Sequence, residues 1–107
     1  MIAGGVMIID LKAFCHKRAV TGEDGLKIQK VIEDSWDNED KITINFSNIL
    51  IGSVSFFDEA FGNLALKYPV NILKEKLAFA NMDNYDRALL NSILSSRYKQ
   101  KQSNPSS

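Results

Sequence analysis

The chain has one cysteine and one histidine, two prolines, and no surplus of charge of either sign, thirteen basic residues standing against thirteen acidic ones. Each scarcity closes a class of function. One cysteine excludes an internal disulfide and suits a reducing compartment. Cysteine and histidine together are too few for a zinc site of the usual kind. Sequence-independent binding to nucleic acid needs excess Lys and Arg to release counterions, and the net charge here is zero. The longest apolar run, Val6–Ile9, is far short of the ~20 residues of a membrane span. No basic region followed by a long apolar stretch opens the chain, so the expectation is a soluble, cytoplasmic protein without membrane or nucleic-acid partners.

What is present is ordinary globular composition, 45% hydrophobic and 24% charged, over 107 residues. That is one domain with one core. The continuous apolar Val6–Ile9 reads as a buried strand. Lys12–Val20 fits either a short strand or an irregular loop. Thr21-Gly22-Glu23-Asp24-Gly25 is turn chemistry at a helix start, Thr21 and Asp24 approximating a capping box. Ile28, Val31, Ile32 and Trp36 follow on one helical face, and the acidic cluster Asp37–Asp40 should end that helix. Ile42–Phe46 alternates as a strand should. Ser55 is placed as an N-cap, with Phe57, Ala60, Phe61, Leu64 and Ala65 forming the buried stripe behind it and Tyr68-Pro69 ending the helix. Leu77–Ala80 reads as a strand, and Asp83 as the cap of a last helix reaching Tyr98. Residues 1–6 are expected to be flexible and 99–107 a disordered tail. Strands alternating with helices imply right-handed crossovers and a largely parallel sheet.

Few residues offer chemistry. Cys15 and His16 are adjacent, and neighbours in sequence seldom form a nucleophile–base pair; with no acid–base pair to place, the chain reads as a non-enzyme with no cofactor or metal. Glu33, Asp34, Asp37, Glu39 and Asp40 fit a solvated helix end. Arg97, Lys99 and Lys101 are too few for strong steering. Arg18 with Gly22 and Gly25 is a candidate anion site at a helix N-terminus, although the spacing matches no phosphate-binding motif and Glu23 and Asp24 would repel an anion. The segment Gly52–Glu59 stands out as a small hydroxyl-bearing turn at a helix start, beyond a central strand. Its Ser53 and Ser55 are candidate phosphorylation acceptors, and Phe56, on the opposite side of the helix turn from part of the apolar stripe, is expected to be exposed.

Asn45-Phe46-Ser47 followed by Ser53-Val54-Ser55-Phe56-Phe57-Asp58-Glu59-Ala60-Phe61-Gly62 resembles the STAS-like family of small bacterial proteins of unknown function. That family is related to STAS domains such as anti-sigma-factor antagonists. Arg18, Gly22, Asp24 and Gly25 resemble the glycine turn before its first helix. The resemblance implies an α/β fold, a four- to five-stranded mixed sheet packed by about three helices, over residues 7–98. It also implies a regulatory interaction module docking a partner protein, such as a kinase-like ATPase, through Ser53, Ser55, Phe56, Asp58 and Glu59. In antagonist-type relatives the partner is released by phosphorylation within an Asp-Ser-Ser-Gly motif. Ungapped matching sets Ser53-Val54-Ser55-Phe56 on those positions and Val54, which has no hydroxyl, on the acceptor. The alternative is a small-ligand sensor holding an anion or nucleotide at Arg18 and the 22–25 turn.

Overall fold

The computed structural model describes residues 5–102. The strands are β1 (Gly5–Asp10), β2 (Ala19–Val20), β3 (Glu39–Asn45), β4 (Leu50–Ile51) and β5 (Leu77–Ala80). The helices are α1 (Leu11–Cys15), α2 (Gly22–Ser35), α3 (55–67), α4 (Val70–Lys76) and α5 (Asn84–Gln102). Within α3, a π-helical stretch, Asp58–Gly62, separates α-helical Ser55–Phe57 from Asn63–Lys67.

The sheet is parallel throughout but divided. A three-stranded sheet runs β1-β3-β5, and β2 pairs with β4 in a separate two-stranded ribbon. This corrects the expected mixed sheet: no antiparallel pairing occurs among the described residues. The helices number five rather than about three, because Lys12–Val20 holds α1 and Pro69 both ends α3 and opens α4. The proline lacks an amide to donate, and its fixed φ suits the extended position before a new first turn.

Local chemistry accounts for most boundaries. Asp10 accepts from the amides of Lys12 and Ala13 at 3.2 and 3.4 Å, turning β1 directly into α1. His16, at φ 56°, closes α1 in the left-handed region, the amide donating to the Lys12 carbonyl. Asp83 accepts from the Asp86 amide at 2.8 Å and starts α5. The flexible-terminus and tail expectations reach too far inward. Gly5 and Val6 belong to β1, and α5 continues through Gln102, with Lys101 donating to the Tyr68 carbonyl at 3.1 Å. Residues 1–4 and 103–107 lie outside the described residues.

Strand register sorts the side chains. Met7, Ile42 and Leu77 lie level across the sheet, as do Ile9, Ile44 and Phe79, and this face carries the core. The opposite face presents Val6 and Ile8, 64% and 66% exposed. Behind the core face, Phe46, Phe56, Phe57, Phe61 and Phe79 form one aromatic cluster, with centroids 5.1–6.5 Å apart in edge-on and tilted arrangements. Helices α2 and α3 meet over it. The contact is close: a Cβ on Gly25 would stand 2.7 Å from the Phe56 carbonyl oxygen.

Candidate functional site

The turn from β4 into α3 is built by its serines. Ser53 Oγ accepts from the Ser55 amide at 3.3 Å and lies 2.7 Å from Ser55 Oγ, while the Ser53 carbonyl accepts from the Phe56 amide at 3.0 Å. The capping role expected of Ser55 is therefore not filled by it: Val54 precedes the helix without a side-chain cap, and Ser53 accepts from the first helical amide. Ser55 is exposed, and its hydroxyl is spent on its neighbour rather than on the helix amides.

Phe56 is the largest correction. It is fully buried, 0% exposed, against Phe46, Phe57 and Phe61, so it cannot present a side chain to a partner. The cause is the π stretch, in which the Asn63 amide reaches back to the Asp58 carbonyl. A wider turn offsets the drift of i+4 rows around an α-helix of 3.6 residues per turn. Phe56, Ala60 and Leu64 consequently stay buried beside Phe57, Phe61 and Ala65.

The acids of this segment are engaged within the chain. Asp58 Oδ1 pairs with Arg97 at 2.7 Å, and Glu59 Oε1 accepts from Asn63 at 3.0 Å. Beside the exposed Ser55, the turn presents two apolar side chains: Val54 is 53% and Leu50 66% exposed. Composition gave no sign of either. Val54 could have been noticed only as the residue standing where antagonist-type motifs carry a serine.

Arg18 and the glycine turn are not brought together as one anion site. The turn lies under α3, Gly22 facing Ser55 Oγ and Gly25 facing the Phe56 carbonyl, so both glycines serve close helix packing. The Gly25 amide is already donated to the Thr21 carbonyl at 3.0 Å. Arg18 instead lines a recess of about 310 Å³ with Lys12 and Asn48, beside the β2–β4 ribbon. Asn48 was missed, although a turn asparagine in the left-handed region, φ 58°, is a recognisable feature.

Asp24 is buried, 1% exposed, yet charged. It accepts from Lys17 Nζ and the Thr21 amide, each at 2.9 Å. Burial alone would raise its carboxyl, but these two donors outweigh burial and hold it below the usual carboxylate range. The ionised form therefore stabilises the fold above the ordinary carboxylate pKa, and this contribution fades as the pH falls through the lowered folded value. Asp24→Asn should flatten that acid limb in denaturant titrations run from pH 6 downward; unchanged acid slopes would show that the carboxylate contributes nothing. Cys15 is pushed the other way, raised first by burial and then by the Asp24 charge, so it is a protonated thiol at neutral pH.

Among the described residues no group of three or more His, Cys, Asp or Glu is placed to hold a metal ion, and no helix is long and apolar enough to cross a membrane. A family model described as a STAS-like domain of unknown function matches residues 24–87, from the buried Asp24 to Arg87 in the first turns of α5. The chain belongs to this family. No curated protein and no solved structure gives a match. The matched span of this STAS-like domain contains α2 from its third residue, β3, β4, the serine turn, the whole of α3 and α4, and β5. It omits Arg18 and the Lys12 side of the cationic recess.

The acidic run also acquires a place in the STAS-like domain. Glu33 holds Lys67 at 3.1 Å and Asp34 holds Lys30 at 3.4 Å, so its leading members tie α2 to α3 and to itself. Arg97, from the small basic run, is the partner of Asp58. Each cluster thus gives members to ion pairs within the domain, Glu33 and Asp34 from the acidic run and Arg97 from the basic one.

Proposed function

We propose that this STAS-like domain is a non-enzymatic regulatory module that docks a partner protein through the turn at 50–55. The observation that carries the reading is the exposure of Leu50 and Val54 on either side of Gly52-Ser53, in a segment whose phenylalanines are all buried. Leu50 at the start of β4 and Val54 at the start of α3 expose apolar surface that gains nothing for folding and is the material of an interface anchor. The apolar contact expected of Phe56 passes to Val54. Asp58 and Glu59, engaged with Arg97 and Asn63, lie at the margin of the docking surface.

Ser53 and Ser55 flank Val54, their hydroxyls 2.7 Å apart. A phosphate on either would add nearly two negative charges beside the apolar anchor, disfavouring an apolar partner surface. This supports a switch of the antagonist kind with the acceptor moved one residue. The partner class favoured by the family relationship is a kinase-like ATPase, and the single protonated cysteine suits a cytoplasmic setting.

Val54→Asp tests the proposal. The substitution should leave stability within about 0.5 kcal/mol, as expected at an exposed site, and should abolish recovery of an ATPase-fold partner in co-purification from the native cells. Equal recovery of that partner by both forms would overturn the assignment.

A second reading rests on the recess of Lys12, Arg18 and Asn48, which among the described residues has two cations and no acid in its lining. It supports an anion-binding role for Arg18 without the glycine turn. Phosphate or nucleotide binding that is lost in Arg18→Gln and kept in Val54→Asp would favour it.

A further inference from the structure

A recess unrelated to the turn at 50–55 lies under the last helix. Helix α5 is clasped at both ends: Arg87 donates to the Phe79 carbonyl at 3.3 Å, and Arg97 and Lys101 hold Asp58 and the Tyr68 carbonyl. Between these clasps only Leu90 is fully buried. Every residue of β5 beneath it remains half-exposed. The result is a recess of about 560 Å³ enclosed by α3, α4, β5 and α5, a size typical of small-molecule sites. Its floor is Phe61, Leu77, Phe79 and Leu94, and Phe61 comes from the π stretch, a distortion frequent at functional sites.

The polar groups are as informative as the floor. Lys74, Asn91, Ser95 and Tyr98 line the recess, and none of their side chains makes a hydrogen bond or ion pair among the described residues. Among the described residues no Asp or Glu lines it, and Lys74 is the one charged residue of the lining. Burial raises the Tyr98 phenol above its usual range, which keeps it a donor at neutral pH. Lys74, Asn91 and Ser95 are exposed and form a polar rim over the apolar lining, so a cation would find no counter-charge, whereas an anionic head could meet the ammonium at the rim while its apolar body enters the recess.

We propose that the recess binds a small amphipathic carboxylate, its hydrocarbon body on Phe61, Leu77, Phe79 and Leu94 and its head within reach of Lys74. The guest completes the core that α5 leaves open. The site is independent of the turn at 50–55, so one can fail without the other.

The test uses the full chain, titrated with decanoate below its micelle concentration and with 1-decanol as the uncharged counterpart, followed by amide chemical shifts. Decanoate should bind saturably, with shifts centred on β5, α4 and the middle of α5, and about tenfold more tightly than decanol, as one charge-assisted contact implies. Lys74→Gln should bring decanoate down to the decanol level. Ser95→Trp, at an exposed rim position that leaves the core untouched, should block both guests. Absence of saturable binding, equal affinity for decanoate and decanol, undiminished binding by Ser95→Trp, or shifts centred on exposed Val6 and Ile8 would each overturn the proposal.

Discussion

Phe56→Ala is expected to cost the folded state about 3–5 kcal/mol, the range for deleting a fully buried aromatic ring. The ring sits edge-on to Phe46 and Phe61, at 6.4 and 6.0 Å, and beside Phe57 at 5.8 Å, so its removal strips contacts from three neighbours as well as its own burial. Little collapse can fill the gap, because Gly25 already presses the adjoining backbone from the α2 side. Against a typical total of about 5–15 kcal/mol, the loss takes a large share of the stability. Trp36, the only tryptophan, is stacked on Tyr68 at 4.1 Å and provides the fluorescence signal for urea unfolding. A loss below about 1 kcal/mol would mean that Phe56 is peripheral. It would also restore that residue as a candidate contact, because low cost is what an exposed ring would show.

The second large effect is expected at Gly25. In the first turns of α2, Gly→Ala ordinarily gains up to about 1 kcal/mol in helix propensity. Here the added methyl would meet the Phe56 carbonyl oxygen at 2.7 Å, Glu59 Cβ at 3.0 Å and the Ala60 amide at 3.1 Å. Two of these are backbone atoms of a helix fixed by its own core contacts, so relief requires α2 and α3 to move apart. A net loss of about 1–3 kcal/mol is expected, the usual range for overpacking. Gly22→Ala meets the Ser55 hydroxyl at 2.9 Å, which a side-chain rotation relieves, and Ser55 Cβ at 3.3 Å, which a shift of a few tenths of an ångström relieves; no backbone atom stands in the way. Gly25→Ala should therefore be the less stable of the two in denaturant unfolding, and a Gly25→Ala protein as stable as the parent would refute the close-packing account.

Legibility in the sequence followed the range of the physics. Local signals were readable: the alternation of Ile42–Phe46, the pairing of Thr21 with Asp24, the Asp83 cap and the break at Pro69 all act within a few residues. The parallel pairing was readable too, since strand–helix alternation leaves few other topologies. The ribbon of β2 and β4 was not, because two residues per strand carry no period. Phe56 was misplaced because a wheel of constant α-helical period puts it across from part of the stripe, and no propensity announces a π turn. Asp58 looked available until Arg97, far along the chain, was found beside it. The Lys74 recess draws its lining from four elements, and no short window contains such a site.

The all-parallel pairing also sets the order of events during synthesis. Neighbouring strands of the main sheet are separated by a helix or more, so no hairpin can start it. Closing such long loops before any pairing is gained makes folding slow for the chain's size. As the chain emerges, β1 can meet β3 once Asn45 is out, but the other edge of β3 must wait for Leu77–Ala80. Throughout that interval the central strand has one ladder of unpaired amides and carbonyls open to other chains, beside phenylalanines that still lack the α5 cover. The vulnerable species in the life of this protein is therefore the nascent one, and the arrival of β5 ends the exposure.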